Sequence, residues 1–581
     1  MWVVDNSGIA TDLRTQRFVI SNYDIDSLKT NVGETAARDY DFPRLSNQYF
    51  NATFISDEQD IIYNCELRKS GSPWTRSDNS DVSKGKWKTP GDRRFRGFAK
   101  RAMDNDAGGG RAYHNRIIRQ WLYLFGHAAN ENEFVRVIVN GGSAALREDV
   151  EPNANDFLKR NWEDGEKGEL YRIDDEWWFT DDWSRSNRNA DWSWKGTHEP
   201  ERYHAEWIKR SREAEYDYAS LTTWMNKVGT NSFTRDEIER MADIDMMAAN
   251  AAARGWCDDW DTLTRNRGKN GYFLRRYTDG KFMLIQWDSD LTFGNAGAAF
   301  IGNLPGVGNF FNKTYVRQRL NHYIGKMIND YAATGPRMQA WFDCEDDASP
   351  SYNSNRSTYT NWHNSRVSRA RTEIGSALNT AFDVTTGNGS STTTGNDTIT
   401  LNGTSGWETF DVQVAGDPDA VVNFSSQTAW TLEGVQLRQG SNPLTVQALD
   451  YEGNVIASEL FTVTKTGNAA PVLRIDADPG SWNVENSENL AMDASTSYDP
   501  EMTPLSFAWS VSPTTNNSLS GVTGAAANAT FAKPGIYTYT LTATDGNAVQ
   551  ASISRDASVF AAAGWSSFGD PLLESYWTAE N

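Results

Sequence analysis

The sequence predicts an α+β domain over its first two-thirds, followed by two all-β sandwiches. Three observations lead to this. Up to about residue 382, helix-period segments alternate with short strands rich in aromatic and branched residues. At Thr385–Asp397 (TTGNGSSTTTGND) the composition switches to Gly, Ser, Thr and Asn, as in a flexible linker. Beyond it only alternating strands and turn residues remain, in stretches the size of small sandwiches. The expected division is 1–384 for the α+β domain, 385–397 for the linker, 398–466 and 467–560 for the sandwiches, and 561–581 for the start of a further β module.

Composition narrows the function classes. The chain of 581 residues carries a formal net charge of −21, which opposes bulk attraction to nucleic acid or an anionic membrane. It has no apolar run long enough for a membrane-spanning helix. Cys65, Cys257 and Cys344 are too few to predict a disulfide framework, and six scattered His give no zinc pattern. Residues 1–18 lack the basic and apolar regions of a secretory leader. The 23 Trp are read first as packing residues.

In chain order, Gln16–Ser21, Asn51–Ile55 and Ile61–Arg68 read as strands. Lys69–Lys100 is basic, aromatic and punctuated by Gly, Ser and Pro. It reads either as a solvated loop or as a flap over an anionic ligand. Asp104–Gly110 precedes an amphipathic helix, Tyr113–Leu124, and reads either as a simple loop or as a phosphate-holding helix start. Glu133–Asn140 and Glu169–Ile173 are strands, with a short helix at Asp156–Arg160 between them. Asp174–Pro200 is an irregular Trp- and Asp-rich insertion, and Tyr203–Val228 reads as one long charged helix. Thr234 and Glu237 form a capping-box pattern opening a helix that runs to about Arg254. Further helices are expected at Tyr315–Ala333 and Trp362–Phe382.

Residues 255–294 (GWCDDWDTLTRNRGKNGYFLRRYTDGKFMLIQWDSDLTFG) carry the chemistry. Tyr272–Tyr277 and Lys281–Trp287 are strands around an Asp279-Gly280 turn. Such a hairpin brings Asp261 and Asn270, before its first strand, to the same end as Asp288 and Asp290, after its second. A few carboxylates together with substrate phosphates are what Mg²⁺ prefers.

From about Phe18 to Arg371 the chain resembles the CotH kinase family, the spore coat protein H-like atypical protein kinases. Four pieces carry the resemblance in the family's order. They are LRKSGSPW with FRGFAK, then NRIIRQWLYLFGHAANENEFVRVIVNGG, then LREDVEPNANDFLKR with GELYRID, and finally the hairpin stretch with its Asp…Asn and Trp-Asp-x-Asp signatures. The resemblance implies a two-lobed kinase-like fold, ATP, Mg²⁺ or Mn²⁺, and phosphoryl transfer to Ser/Thr of a protein substrate. It implies Asp261 as the catalytic Asp and Asn270 as its neighbour and metal ligand. Asp288 and Asp290 become metal ligands, Lys86 or Lys100 the phosphate-binding lysine, and Glu148 its partner. The Asp261-to-Asn270 spacing is longer than the family's, which keeps Asp258 and Asp259 as alternatives, and Gln286 stands where Pro is usual.

The tail resembles a bacterial Ig-like module followed by a PKD-type sandwich, as in secreted or surface proteins, which implies an extracellular or cell-surface location. In the second module Asp499, Glu501 and Asp545 are candidates for a structural Ca²⁺, with turn formation as the alternative. Two further functional readings stand beside the kinase. One is a catalytically inactive scaffold in an adhesion protein. The other is glycan or matrix binding through Trp177, Trp178, Trp192 and Trp194.

Overall fold

The computed structural model describes residues 13–30, 47–57, 59–70, 82–104, 114–174, 189–329, 338–343, 353–417, 419–478 and 482–561. The chain divides into two compact units, Met1–Leu378 and Asn379–Asn581. Candidate phosphate-holding residues at Asp104–Gly110 lie outside the described residues apart from Asp104, as do Trp177, Trp178, Cys344 and residues 562–581.

The first unit begins with β1 (Arg14–Ile20), β2 (Phe50–Ser56), β3 (Asp60–Arg68), β4 (Gly85–Lys88), β5 (Lys100–Asp104), β6 (Asn132–Val139) and β7 (Ala145–Val150). They close into a barrel in the order β1-β2-β3-β4-β5-β7-β6, with β1 and β6 pairing in parallel. One of these strands, β4, lies in the basic Lys69–Lys100 stretch and β5 starts at its last residue, while residues 89–99 between them are turns and irregular chain. Trp87 is the reason that β4 forms there. It is fully buried, stacks on Phe54 at 4.3 Å and packs against Phe18 and Phe95. With Trp87 pointing inward, strand alternation turns its neighbours Lys86 and Lys88 outward.

A second sheet has the order β11-β10-β8-β9, from β8 (Glu169–Ile173), β9 (Trp207–Lys209), β10 (Gly271–Arg275) and β11 (Phe282–Gln286). Both faces of its hairpin are buried. Tyr272, Leu274, Met283 and Ile285 pack with Phe157, Leu158 and Met246. Phe273 meets Trp192, Trp207, Trp224 and Phe282. This explains the unbroken apolar pattern of the two strands. The Asp279-Gly280 pair ends a four-residue loop rather than forming a two-residue turn, because Arg276 and Lys281 close the ladder. Arg276 also chelates Asp279, with its Nε 2.8 Å from Oδ1.

Several helices differ from the sequence expectation. Tyr203–Val228 is not one helix. Trp207–Lys209 joins β8 as an edge strand, Arg212 and Tyr216 adopt left-handed backbone, and only Ala219–Gly229 is α-helical. The helix opened by Thr234 ends at Met241, and Asp243 caps a second one, Ile244–Trp256. The capping box itself forms, with Glu237 N donating to Thr234 Oγ1 and Thr234 N to Glu237 Oε2. Later helices run Thr314–Asn329 and Asn353–Ile374, the latter passing into a 3-10 turn at Gly375.

The second unit holds two sandwiches built alike. The first comprises β12 (Asp383–Val384), β13 (Thr392–Thr394), β14 (Thr398–Thr404), β15 (Asp411–Val414), β16 (Val421–Phe424), β17 (Ala429–Gln436), β18 (Gly440–Leu449) and β19 (Val455–Lys465). Its sheets are β12-β14-β17-β16 and β13-β19-β18-β15. The second comprises β20 (Asp476–Asp478), β21 (Asn483–Glu485), β22 (Leu490–Asp493), β23 (Ser506–Ser512), β24 (Asn517–Ser520), β25 (Ala526–Phe531), β26 (Gly535–Thr544) and β27 (Gln550–Phe560). Its sheets, β20-β22-β25-β24 and β21-β27-β26-β23, repeat the same order strand for strand. In each, the second strand runs parallel to the last. The stretch read as a linker is therefore part of the first sandwich. Thr392–Thr394 pairs with Val463–Lys465, and a 3-10 turn at Thr386–Gly389 precedes it.

Candidate functional site

The helix Ile244–Trp256 is Ala-rich and buried, and Arg254 is the one charged residue of its Met246–Trp256 run. Such a charge must be paired to be tolerated. Arg254 Nε donates to Asp259 Oδ2 at 2.6 Å, Nη1 to the Asn270 carbonyl at 2.6 Å and Nη2 to the Trp287 carbonyl at 3.2 Å. One guanidinium thus clamps the entry to β10 and the exit from β11, holding the two acidic flanks at one end of the hairpin.

This sorts the three aspartates before the hairpin. Asp259 is fully buried against Arg254, and burial pushes its carboxyl above the ordinary range. Asp258 accepts from Arg265 Nη2 at 2.6 Å and from the Asn295 amide at 2.8 Å. Both are tied into the framework. Asp261 instead meets the other candidate, with Asn270 Nδ2 donating to its Oδ2 at 2.9 Å and Arg267 Nε lying 3.5 Å from its Oδ1. Asn270 and Asp288 both take left-handed backbone, φ 51° and 48°. This conformation costs an L-residue about 1 kcal/mol, least for Asn and Asp, and it re-aims the chain at each flank of the hairpin.

Burial, reinforced by the charges of Asp104 and Asp290, raises the Asp288 carboxyl to about 7, while Lys84 and Lys269 oppose the shift. Across from it, Lys86 on β4 holds its Nζ 5.5 Å from the Trp287 ring centre. Burial and the charges of Arg172, Arg68 and Arg210 lower its pKa to about 7. Lys84 Nζ lies 3.7 Å from Asp104. Barrel strands β4 and β5 and the hairpin's acidic end therefore face one electrostatic neighbourhood containing Lys84, Lys86, Asp104, Asp288 and Asp290.

The other lysine candidate is placed elsewhere. Lys100 is exposed and registers with Lys88, and its neighbour Arg101 turns inward, Nε to Asp149 Oδ1 at 2.9 Å. Glu148 is engaged by Arg119 of the helix His114–Leu124. Arg119 continues to Gln286, whose amide donates to Ser289 Oγ at 2.8 Å and to Asn115 Oδ1 at 3.3 Å. Asn115 also accepts from the Ser289 amide at 2.5 Å. The polar chain Glu148–Arg119–Gln286–Ser289 thus anchors the loop bearing Asp288 and Asp290. Gln286 is what makes the link, because a Pro there would have neither donor nor acceptor side-chain groups. Sequence reading missed Arg254, Arg119 and Asn115. The lone Arg in an Ala-rich helix was the available signal for the first.

Mg²⁺ or Mn²⁺ fits the donors in kind. Asp288, Asp290, Asn270 and Asp261 offer only oxygen, and Asp288 experiences excess negative charge that a cation would relieve. Among the described residues no group of three or more His, Cys, Asp or Glu converges enough to hold a metal by itself. Substrate phosphates would have to complete the coordination. In the second sandwich, the Ca²⁺ candidates serve backbone amides. Asp499 accepts from Thr503 N at 2.7 Å, Glu501 from Gln439 N at 2.5 Å and Ala469 N at 3.1 Å, and Asp545 from Asn547 N and Val549 N, each at 2.8 Å. Of the Trp candidates for glycan stacking, Trp192 is fully buried in the aromatic core.

Residues 78–325 match the family model for CotH kinase protein, and residues 468–560 match that for the PKD domain. No curated protein matches. Among solved structures, a nucleoside hydrolase-related hypothetical protein from Saccharophagus degradans is 22% identical over 17% of this chain and 26% of its own, with a TM-score of 0.15. The PKD domain from KIAA 1837 protein is 23% identical over 18% of this chain and 98% of its own, TM-score 0.14. The Yersinia pseudotuberculosis adhesin InvE is 12% identical over 29% of this chain and 56% of its own, TM-score 0.12. The chain thus spans about a quarter of the first of these, and likeness this low says nothing of function.

Proposed function

We propose that this chain, with its CotH kinase region followed by a PKD domain, is an ATP- and metal-dependent protein kinase of the CotH type, acting on Ser/Thr of extracellular or coat proteins. The observation that carries the reading is the Asp261–Asn270 contact at 2.9 Å, set at the same hairpin end as Asp288. The barrel and the helical layer with its four-stranded sheet correspond, on this reading, to the two lobes of a kinase, with nucleotide between Lys86 and Asp288.

In this mechanism Asp288, Asp290 and Asn270 would hold the divalent cation, which would supply charge neutralisation on the phosphates. Lys86 contacts the α- and β-phosphates. Asp261 orients the acceptor hydroxyl and takes its proton as the oxygen bonds to the γ-phosphorus and the bond to the β-phosphate oxygen breaks, releasing ADP. Asn270 keeps Asp261 in place by donating a hydrogen bond from Nδ2 to its Oδ2, and Arg254 keeps Asn270 in place by donating to its carbonyl. Positioning and charge neutralisation are what phosphoryl transfer requires of a protein. Among the described residues no helix is long and apolar enough to cross a membrane. The PKD domain supports an extracellular setting, with the β modules contacting matrix or glycan.

Radiolabelled phosphate transfer from ATP with Mg²⁺ or Mn²⁺ tests the reading. Wild type should autophosphorylate or label an added protein. Asp261→Asn should lose transfer by about 10²-fold or more while still binding nucleotide, and Asp288→Asn should lose metal-dependent nucleotide binding. Absence of both transfer and nucleotide binding in the wild type would sink it. One observation favours the second reading, an inactive kinase-like scaffold: Glu148 gives its carboxylate to Arg119. Nucleotide binding without transfer to any acceptor would support that scaffold.

A further inference from the structure

The first unit contains a cavity whose lining includes neither Lys86 nor Asp288. Its volume is about 540 Å³, within the usual range for small-molecule sites. Among the described residues, Arg96, Arg101, Arg116, Arg119 and Arg160 line it together with the carboxylates Glu131 and Glu133. Arg96, Arg101, Arg119 and Arg160 are each paired with a carboxylate, Glu133, Asp149, Glu148 and Glu151 respectively, and Arg116 is held by an amide oxygen.

The arginines are held in place rather than loose on the surface. Arg101 is almost fully buried and lies over Phe98 at 4.7 Å, its Nε and Nη2 bound to the Asp149 carboxylate and carbonyl. Its Nη1 is buried and has no hydrogen-bond partner, a deficit that costs free energy unless something accepts from it. Arg116 stacks on Phe134 at 4.3 Å and donates from Nη1 to Asn132 Oδ1 at 2.6 Å. Gln120 and the exposed Tyr123 stand on the helix side of the same cavity. Fixed guanidinium donors are the usual receptor for a tetrahedral oxyanion, and the aromatic lining leaves room for the body of a molecule attached to it.

We infer that this cavity is a binding site for a small phosphorylated molecule, separate from the nucleotide and metal site. The phosphate accepts from Arg101 and Arg116, and the remainder of the ligand lies against Phe98 and Tyr123. Arg119 belongs both to the cavity and to the chain reaching Gln286 and Ser289. Occupancy is thereby felt at the loop carrying Asp288. The inference does not depend on the kinase reading, because its test reads binding alone.

Titration calorimetry on the full chain, with phenyl phosphate, inorganic phosphate and phenol as probes, tests it without added nucleotide or metal. Saturable binding of phenyl phosphate is expected, weaker binding of inorganic phosphate, and none of phenol. Arg101→Gln should abolish it. Since that change leaves Asp149 with less of its partner and endangers folding, Gln120→Glu is the second variant. It adds one negative charge to the lining, breaks no buried pair, and should weaken phenyl phosphate by about tenfold with the circular dichroism spectrum unchanged. No saturable binding to wild type overturns the inference. So does binding that survives Gln120→Glu but disappears in Asp288→Asn, which would place the phosphate in the nucleotide site.

Discussion

At the end of the β10–β11 hairpin, carboxylates are either clamped by buried guanidinium groups, as Asp258 and Asp259 are, or crowded against one another, as Asp288 is by Asp104 and Asp290. In the second sandwich, Asp499, Glu501 and Asp545 sit on turns of similar composition and collect backbone N–H groups instead. The residue type is the same and the local sequences are equally polar. The difference lies in the donors. Backbone amides engage each of these carboxylates, from nearby residues for Asp499 and Asp545 and from distant ones for Glu501, and only Asp499 Oδ1 is left buried without a partner. A carboxylate beside other carboxylates holds unfavourable charge, which an external cation relieves. Acidic residues in sequence therefore carry little functional information until the donors around them are known.

The largest effect should come from breaking the clamp. Arg254→Met leaves Asp259 buried without its partner and releases both hairpin flanks. Removing one member of a buried pair costs about 3–5 kcal/mol. Thermal unfolding of the full chain should show the first unit's transition falling sharply while the second unit's transition stays in place. Asp259→Asn added to Arg254→Met should recover part of the loss. Equal destabilisation of both units would mean the clamp is not local to the hairpin.

A smaller effect, of opposite sign, is expected where charge is crowded. Folded Asp288 keeps its proton up to about pH 7, whereas the unfolded chain releases it near 3.8. The native state binds more protons across that window, so this group's contribution to stability falls as pH rises from about 4 to 7. Lys86 works the other way. The folded form loses its proton near 7 and the unfolded form near 10.5, so its contribution rises with pH over that range. Together they place a minimum in stability near neutrality. Asp288→Asn should stabilise the apo protein by about 1–3 kcal/mol at pH 8 and remove the acid-side slope relative to wild type. Lys86→Met should remove the alkaline-side slope. Mg²⁺ together with ATP should stabilise the wild type increasingly from pH 6 to 8, as the carboxylate becomes free to ligate. A wild-type-minus-variant difference that does not change with pH would remove the crowding argument.

The sequence made the hairpin, its flanking acids and the Thr234 capping box legible, because each rests on local patterning: strand residues about a turn, or a cap with its partner three positions on. What it hid is long-range. Arg254 reaches carbonyls from two strands, and Arg119 joins β7 to β11, so neither partner is visible in a local window. Lys86 and Lys100 share the outward strand phase, and it is position along the strands that separates them, Lys86 lying over Trp287 while Lys100 is exposed beside Lys88. Trp87 faces the barrel interior and sends Lys86 outward, while Arg101 takes the inward position beside Lys100. The supposed long helix at Tyr203–Val228 failed for a similar reason, because Trp207–Lys209 had a sheet edge to join. The Thr- and Gly-rich stretch after Thr385 read as a linker by composition, yet Thr is a good strand residue once a partner is available, and Val463–Lys465 supplies one.

The smallest effect concerns Glu501, which marks the other side of the comparison. Its Oε1 accepts from Gln439 N and Ala469 N, so it ties the segment before β20 to the loop between β17 and β18. Glu501→Ala removes an acceptor from amides that can rehydrate, and should cost about 1 kcal/mol in the second unit's unfolding transition. Because the carboxylate already serves two amides, that cost should be the same in millimolar Ca²⁺ and in chelator. If Glu501 instead helps hold a cation, wild type will gain stability with Ca²⁺ and Glu501→Ala will lose that gain. The acidic turns of the sandwich would then resemble the hairpin end, with charge awaiting a cation, and the contrast between the two units would fail at this residue.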